Sequence, residues 1–216
     1  MKKKTVLIPW SGGLDSTYMI YDYLCKGYKV KAFYVDYAAG SLRTLNELKA
    51  IESLRYKFDK IGNYNFVYYE KSILDLKYQG NLILAQVPIW IFSILNRIDE
   101  DVDEVAIGYV MNDDAISFLP EIKNIYNANL KICYNKPKLV FPLIKTKKED
   151  IWFKLPQEMK DIVVSCEEPT SDFKDCKQCP SCKRKYQTYF RDEIKLDMSD
   201  TKVISEDITV REETNV

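Results

Sequence analysis

The sequence predicts an α/β fold, a doubly wound and mainly parallel sheet, followed by a small four-cysteine element. Three observations predict it. Short β-prone apolar runs alternate with segments of helical period. A glycine pair sits at the first strand-to-helix turn, and four of the six cysteines crowd into one C-terminal stretch. At 216 residues and 46% apolar composition the chain is long enough to bury a real core.

In chain order, the strands are expected at Thr5 to Trp10, Lys29 to Tyr37, Phe66 to Tyr69, Val105 to Gly108 and Leu139 to Phe141. The first helix is expected over Ser16 to Lys26, with Gly27 at its C-terminus. Leu42, Leu45, Leu48, Ile51, Leu54 and Phe58 recur every three or four residues and mark one face of a long helix. Further helices are expected at about Ile83 to Ile98, Leu119 to Asn129 and Lys148 to Lys154. After Pro156 a cysteine-bearing loop leads into a helix from Cys179 or Pro180 to about Leu196. Asp197 to Val216 is polar and aperiodic and reads as a mobile tail. The expected division is therefore 1–156, an α/β domain carrying the glycine turn; 157–196, a cysteine-bearing element packed on it; and 197–216, the tail.

Composition excludes several chemistries. The chain has no histidine, which removes Ser-His-Asp hydrolysis, Cys-His proteolysis and every His-ligated metal site. Any metal must sit on thiolates or carboxylates. With 32 basic and 32 acidic residues the formal charge is zero, so no general field draws the chain to nucleic acid or anionic lipid. Nucleic acid is not the expected direct substrate. The N-terminus does not read as a signal peptide, and the longest apolar stretch, Leu82 to Leu95, is short of the roughly 20 residues of a membrane span. A cytoplasmic protein that does not enter the membrane is expected.

In LIPWSGGLDST, residues Trp10, Ser11, Gly12, Gly13, Leu14, Asp15, Ser16 and Thr17 join the first strand to the first helix. Adjacent glycines let the backbone turn tightly and aim successive N–H groups at an anion, and a helix N-terminus adds open donors and positive dipole. The Ser11, Ser16 and Thr17 hydroxyls add donors, and the Asp15 carboxylate suits Mg²⁺ beside a polyphosphate. The loop lacks the Lys-Ser/Thr of a Walker A motif and the third glycine of a dinucleotide fingerprint. The plain alternative is a chain reversal whose polar residues only cap the helix.

These residues resemble the PP-loop ATP pyrophosphatases, whose signature is SGGxDS after the first strand. The resemblance implies cleavage of ATP between its α- and β-phosphates. Ser11, Gly12, Gly13, Asp15 and Ser16 would hold the departing pyrophosphate, with Asp15 and Ser16 closest to the chemistry, while AMP is placed on a substrate to be displaced by a nucleophile.

Cys166, Cys176, Cys179 and Cys182 are separated by nine, two and two residues, a spacing that can close a tetrahedral thiolate site. Zinc is the leading occupant and an iron–sulfur cluster the rival, since C-x₂-C-x₂-C also occurs in ferredoxins. Four-cysteine zinc has no open position and would be structural. Lys174, Lys177, Lys183, Arg184 and Lys185 are expected to offset the charge of such a centre. Cys25 and Cys133 read as ordinary small core residues.

Glycine loop and cysteine spacing together resemble the 7-cyano-7-deazaguanine synthase (QueC) family. The likeness continues through VDY at Val35 to Tyr37, AIGYV at Ala106 to Val110 and FPLIKTKKEDIW, and spans about Thr5 to Phe190. It implies ATP, Mg²⁺ and structural Zn²⁺ as cofactors. The implied reaction adenylates the carboxyl group of 7-carboxy-7-deazaguanine, lets ammonia displace AMP to give the amide, and by a second adenylation gives the nitrile. The family often forms homodimers, and one is expected here. Substrate-facing segments depart from its pattern at Ala38 to Ser41, at Gln86-Val-Pro-Ile and at Ser117 to Lys123. Two outcomes therefore stay open beside the nitrile: stopping at the amide, or passing the activated acid to another amine, on a protein or nucleic acid. Glu121 has two readings, acceptor for a guanine edge or exposed acid at a helix start. Asp113 and Asp114 are candidates for a second Mg²⁺ or a ribose contact, against solvated loop acids. A PP-loop tRNA-modifying enzyme and a non-catalytic nucleotide-binding module are the other readings.

Overall fold

The computed structural model describes residues 3–36, 41–61, 64–71 and 86–188. The expected tail, the end of the last helix near Leu196, the start of the third near Ile83 and Tyr37 to Gly40 lie outside these residues.

Five parallel strands, β1 (Thr5–Pro9), β2 (Lys29–Asp36), β3 (Tyr64–Lys71), β4 (Glu104–Ala106) and β5 (Lys138–Val140), form one sheet in the order β3-β2-β1-β4-β5. The helices joining them are α1 (Leu14–Cys25), α2 (Leu42–Phe58), α3 (Gln86–Leu95) and α4 (Leu119–Leu130), followed by α5 (Lys148–Lys154), α6 (Gln157–Lys160) and α7 (Pro180–Thr188). This is the expected doubly wound α/β architecture.

Strand alternation divides the core in two. Val6, Ile8 and Trp10 of β1 and its exit, with Val30, Ala32 and Tyr34 of β2, pack against α1, α2, α5 and α6. Leu7, Phe33 and Val35 point the other way, against α3 and α4. Both faces are covered, so the central strands read as continuous apolar runs. Ser41 accepts from the Thr44 N–H at the start of α2, a cap contributing about 1 kcal/mol.

Three expectations need correction. Leu42 and Leu45 are exposed, and Thr44, Ala50, Ile51, Leu54 and Phe58 carry the buried face of α2. Cys25 is also exposed, because it lies at the last position of α1, beyond the apolar stripe that ends at Leu24. Strand β4 ends at Ala106, and the chain then leaves the sheet through Ile107 to Val110 to build one wall of a cleft. Among the described residues no helix is long and apolar enough to cross a membrane.

Candidate active site

Because the chain runs from central β1 to β2 and β3 on one side and then crosses from β3 to β4 on the other, a crevice opens above the C-terminal end of β1. The turn out of β1 lies there. Gly12 has φ +72°, and a Cβ on it would meet Glu47 O at 3.1 Å and the Ala50 and Ile51 side chains at 3.3 Å. Both its conformation and the closeness of α2 therefore require glycine. Gly13 is the N-cap of α1 and no side chain caps that terminus. The first-turn N–H groups thus face the crevice without intrahelical partners, an arrangement that accepts an anion.

The crevice is a cleft of about 390 Å³, the size of a small-molecule site. Of the loop residues singled out in sequence, Trp10, Ser11, Gly13, Leu14, Asp15 and Ser16 line it, and Gly12 and Thr17 do not. Thr17, expected to offer its hydroxyl to phosphate, is fully buried and accepts the Trp10 indole N–H at 3.0 Å. That bond fixes the helix start to the strand end. Among the described residues the Ser16 hydroxyl makes one long contact, donating to Gly13 O at 3.4 Å, and can turn toward a ligand.

Asp15 is held by a residue of the FPLIKTKKEDIW stretch for which the sequence indicated no role of its own. Lys148, at the start of α5, places Nζ 3.1 Å from Asp15 Oδ2, while Asp15 Oδ1 is buried without a hydrogen-bond partner among the described residues. Burial pushes the Asp15 carboxyl above its ordinary range, and Lys148 pulls it back. An orphaned carboxylate oxygen beside open helix N–H groups is a fitting ligand for Mg²⁺.

The β4 wall consists of Ile107, Gly108 and Tyr109, then Asp113, Asp114 and Ala115, with Trp90 of α3 beside them. Asp113 Oδ2 accepts the Val110 N–H at 2.9 Å, tightening a turn in which Asn112 has φ +70°. Asp114 is also on the cleft. Glu121 is not: it is exposed in the first turn of α4 and outside the lining, which favours the helix-start reading. Tyr109 and Ser165, neither flagged in sequence, have hydroxyl oxygens that are buried and unpartnered among the described residues. No local pattern marks them, because what matters is the absence of a partner in space.

The four cysteines are brought together, every Sγ lying within 4.8 Å of the others. Tetrahedral Zn–S bonds of about 2.3 Å require S···S edges of about 3.8 Å, so the cluster suits a single ion. Cys176 Sγ and Cys182 Sγ are 3.9 Å apart. N–H groups of Cys179 and Gln178 lower the Cys176 thiol to about 7, whereas burial pushes Cys166 and Cys182 up. The nearby cations do less balancing than expected. Lys174 pairs with Asp172 at 2.6 Å, and Lys185 with Asp175 at 2.8 Å. The knot instead reaches the cleft: the Val164 N–H donates to Gly12 O at 3.1 Å two residues before Cys166, and Ser181, Arg184 and Lys185 of α7 line the cleft.

A parallel sheet with an uncapped glycine turn at its switch point, an acid on that turn and a thiolate knot behind it has the layout of a PP-loop protein. Residues 93–192 match the family model described as queuosine biosynthesis protein QueC, a span holding the β4 wall, Lys148 and all four cysteines. That part of the chain is similar to QueC. No curated protein matches it. Among solved structures, NMN synthetase from Francisella tularensis is similar over 93% of this chain and 80% of that one, at 15% identity and a TM-score of 0.44.

Proposed function

We propose that the chain is an ATP-dependent carbon–nitrogen ligase that releases AMP and pyrophosphate, with 7-carboxy-7-deazaguanine as its acid. The observation that carries this reading is the uncapped α1 N-terminus with Asp15 on a cleft bordered by Lys148 and Arg184, in a chain with a QueC-like second half. Phosphate donors and cations there favour charge leaving as pyrophosphate.

In the proposed reaction a carboxylate oxygen of the acid attacks the α-phosphorus of ATP, and the bond to the β-phosphate oxygen breaks. The first-turn N–H groups of α1, with Ser11 and Ser16, hold the pyrophosphate. Ammonia then attacks the acyl carbon and loses a proton as the bond to AMP breaks, giving the amide. In a second round the amide oxygen attacks another ATP, and loss of AMP and the remaining amide protons gives the nitrile. Asp15 would hold Mg²⁺ through Oδ1, and that ion, when bound, would neutralise charge on the polyphosphate. Lys148 orients the Asp15 carboxylate from the other side.

The four cysteines would hold zinc as a structural ion that fixes the 163–165 strap and α7 against the cleft. The division at 156 and 196, a homodimeric state and a cytoplasmic location belong to the same proposal. Mass spectrometry after incubation with Mg-ATP, 7-carboxy-7-deazaguanine and ammonia tests it: AMP with amide or nitrile is expected, and unchanged acid without AMP would overturn the assignment.

A further inference from the structure

Tyr109 is 8% exposed, yet its hydroxyl oxygen, buried on the cleft wall, has no hydrogen-bond partner among the described residues. Leaving a buried hydroxyl unsatisfied is costly, and proteins rarely do so unless something else completes the bond. The ring itself is well held. It stacks on Phe141, centroids 5.9 Å apart at 17°, and on Trp90, 6.5 Å apart at 30°. Trp90 also lines the cleft and is only partly buried, so an aromatic face is offered beside the unpartnered hydroxyl. Burial, with Asp113 nearby, holds the phenol at about 12, so at neutral pH the hydroxyl keeps its proton and can donate to an acceptor on a ligand.

We propose that Tyr109 positions the second ligand of the cleft, a planar heteroaromatic acid that lies against Trp90 and accepts the hydrogen bond the Tyr109 hydroxyl does not make within the protein. This deepens, and rests on, the reading of the cleft as a site for ATP and an acid. Ser165 Oγ, the other unpartnered hydroxyl on the cleft, borders the same ligand from the strap that precedes Cys166. The proposal separates two roles on one wall: the rings supply a stacking surface that tolerates many planar molecules, and the hydroxyl selects for an acceptor at one place.

Calorimetric titration of wild type and Tyr109→Phe tests it. The probes are Mg-ATP and, separately, 7-carboxy-7-deazaguanine, 7-deazaguanine and indole-3-carboxylate, with thermal unfolding of both unliganded proteins. Tyr109→Phe keeps the stacked ring and removes only the oxygen. The expected result is weaker binding of the tightest planar acid, on the order of tenfold, with Mg-ATP affinity within about twofold and an unfolding temperature that does not fall. A residue needed only for structure would lower that temperature and leave the ligand ratio alone. Equal weakening for ATP, or planar-acid affinities within twofold of wild type, would overturn the proposal. So would wild type binding none of the planar probes. Mg-ATP binding in that last case would leave the nucleotide site standing while the acid proposed above fails; binding of indole-3-carboxylate but not 7-carboxy-7-deazaguanine, with the Tyr109→Phe loss retained, would support the Tyr109 role and reject that particular substrate.

Discussion

Over β2 the flank of the glycine loop is a closed set of hydrogen bonds, whereas over β4 it ends in a hydroxyl that nothing among the described residues satisfies. On the first flank the Tyr34 hydroxyl donates to Glu47 at 2.7 Å, Arg43 donates to the other oxygen of Glu47 at 2.9 Å, and Thr44 donates to Asp36 at 3.0 Å. Burial and the neighbouring Glu47 carboxylate raise the Tyr34 phenol well above its ordinary value, so it stays a donor. On the second flank Tyr109 has stacking partners but, among the described residues, no polar one. The same residue type thus braces the scaffold on one side and is left unpartnered among the described residues on the other. The contrast separates what shapes the cleft from what selects its contents.

Four changes break or sharpen that contrast. The largest effect is expected at the loop both flanks share: Asp15→Asn keeps the shape but removes the charge, and AMP formation should fall on the order of a hundredfold or more in a quenched-flow product assay. Next, stripping the metal by a chelator should release the strap behind the loop, because the Val164 N–H bond to Gly12 lies two residues from Cys166. Hydrogen exchange at Val164 should accelerate, and activity should drop together with loss of one metal per chain by elemental analysis. Opening the closed flank with Glu47→Gln should cost about 1 kcal/mol and lower the unfolding temperature by a few degrees, whereas Tyr109→Phe should not lower it.

The smallest effect lies on neither flank. Hydrogen bonds from Lys174, then Thr170, hold the exposed Asp172 carboxyl at about 2, below its usual range. A lowered folded-state value means that the ordering it gives the 170–174 turn is complete above the usual carboxylate range and is lost as pH falls through about 2. An NMR titration of Asp172 should find its midpoint there, with no accompanying change in ATP binding at neutral pH.

Backbone-built parts of the molecule were legible in the sequence, and side-chain-built parts were not. Gly12 and Gly13 announce their turn because few other residues fit such a backbone, and the nine, two and two spacing of the cysteines announces a knot because ligation constrains separation. Alternating strands and helices announced the sheet, though not its order. Lys148 beside Asp15, the unpartnered Tyr109 and Ser165, and the Trp10 bond that uses up Thr17 all depend on contacts between segments, which no local period reports. Leu42 and Leu45 misled for a related reason. At that end of α2 the buried positions belong to Thr44 and Asn46, Thr44 through its bond to Asp36, which an apolar stripe does not report.

The central claim is that the cleft cuts ATP at its α-phosphorus only when an acid occupies the β4 flank. Exchange of labelled pyrophosphate into ATP tests it without requiring the final product. The account predicts exchange that needs Mg²⁺ and 7-carboxy-7-deazaguanine together, is abolished in Asp15→Asn, and in Tyr109→Phe persists but requires more acid. Release of ADP in place of exchange, or exchange that ignores the acid, would contradict it.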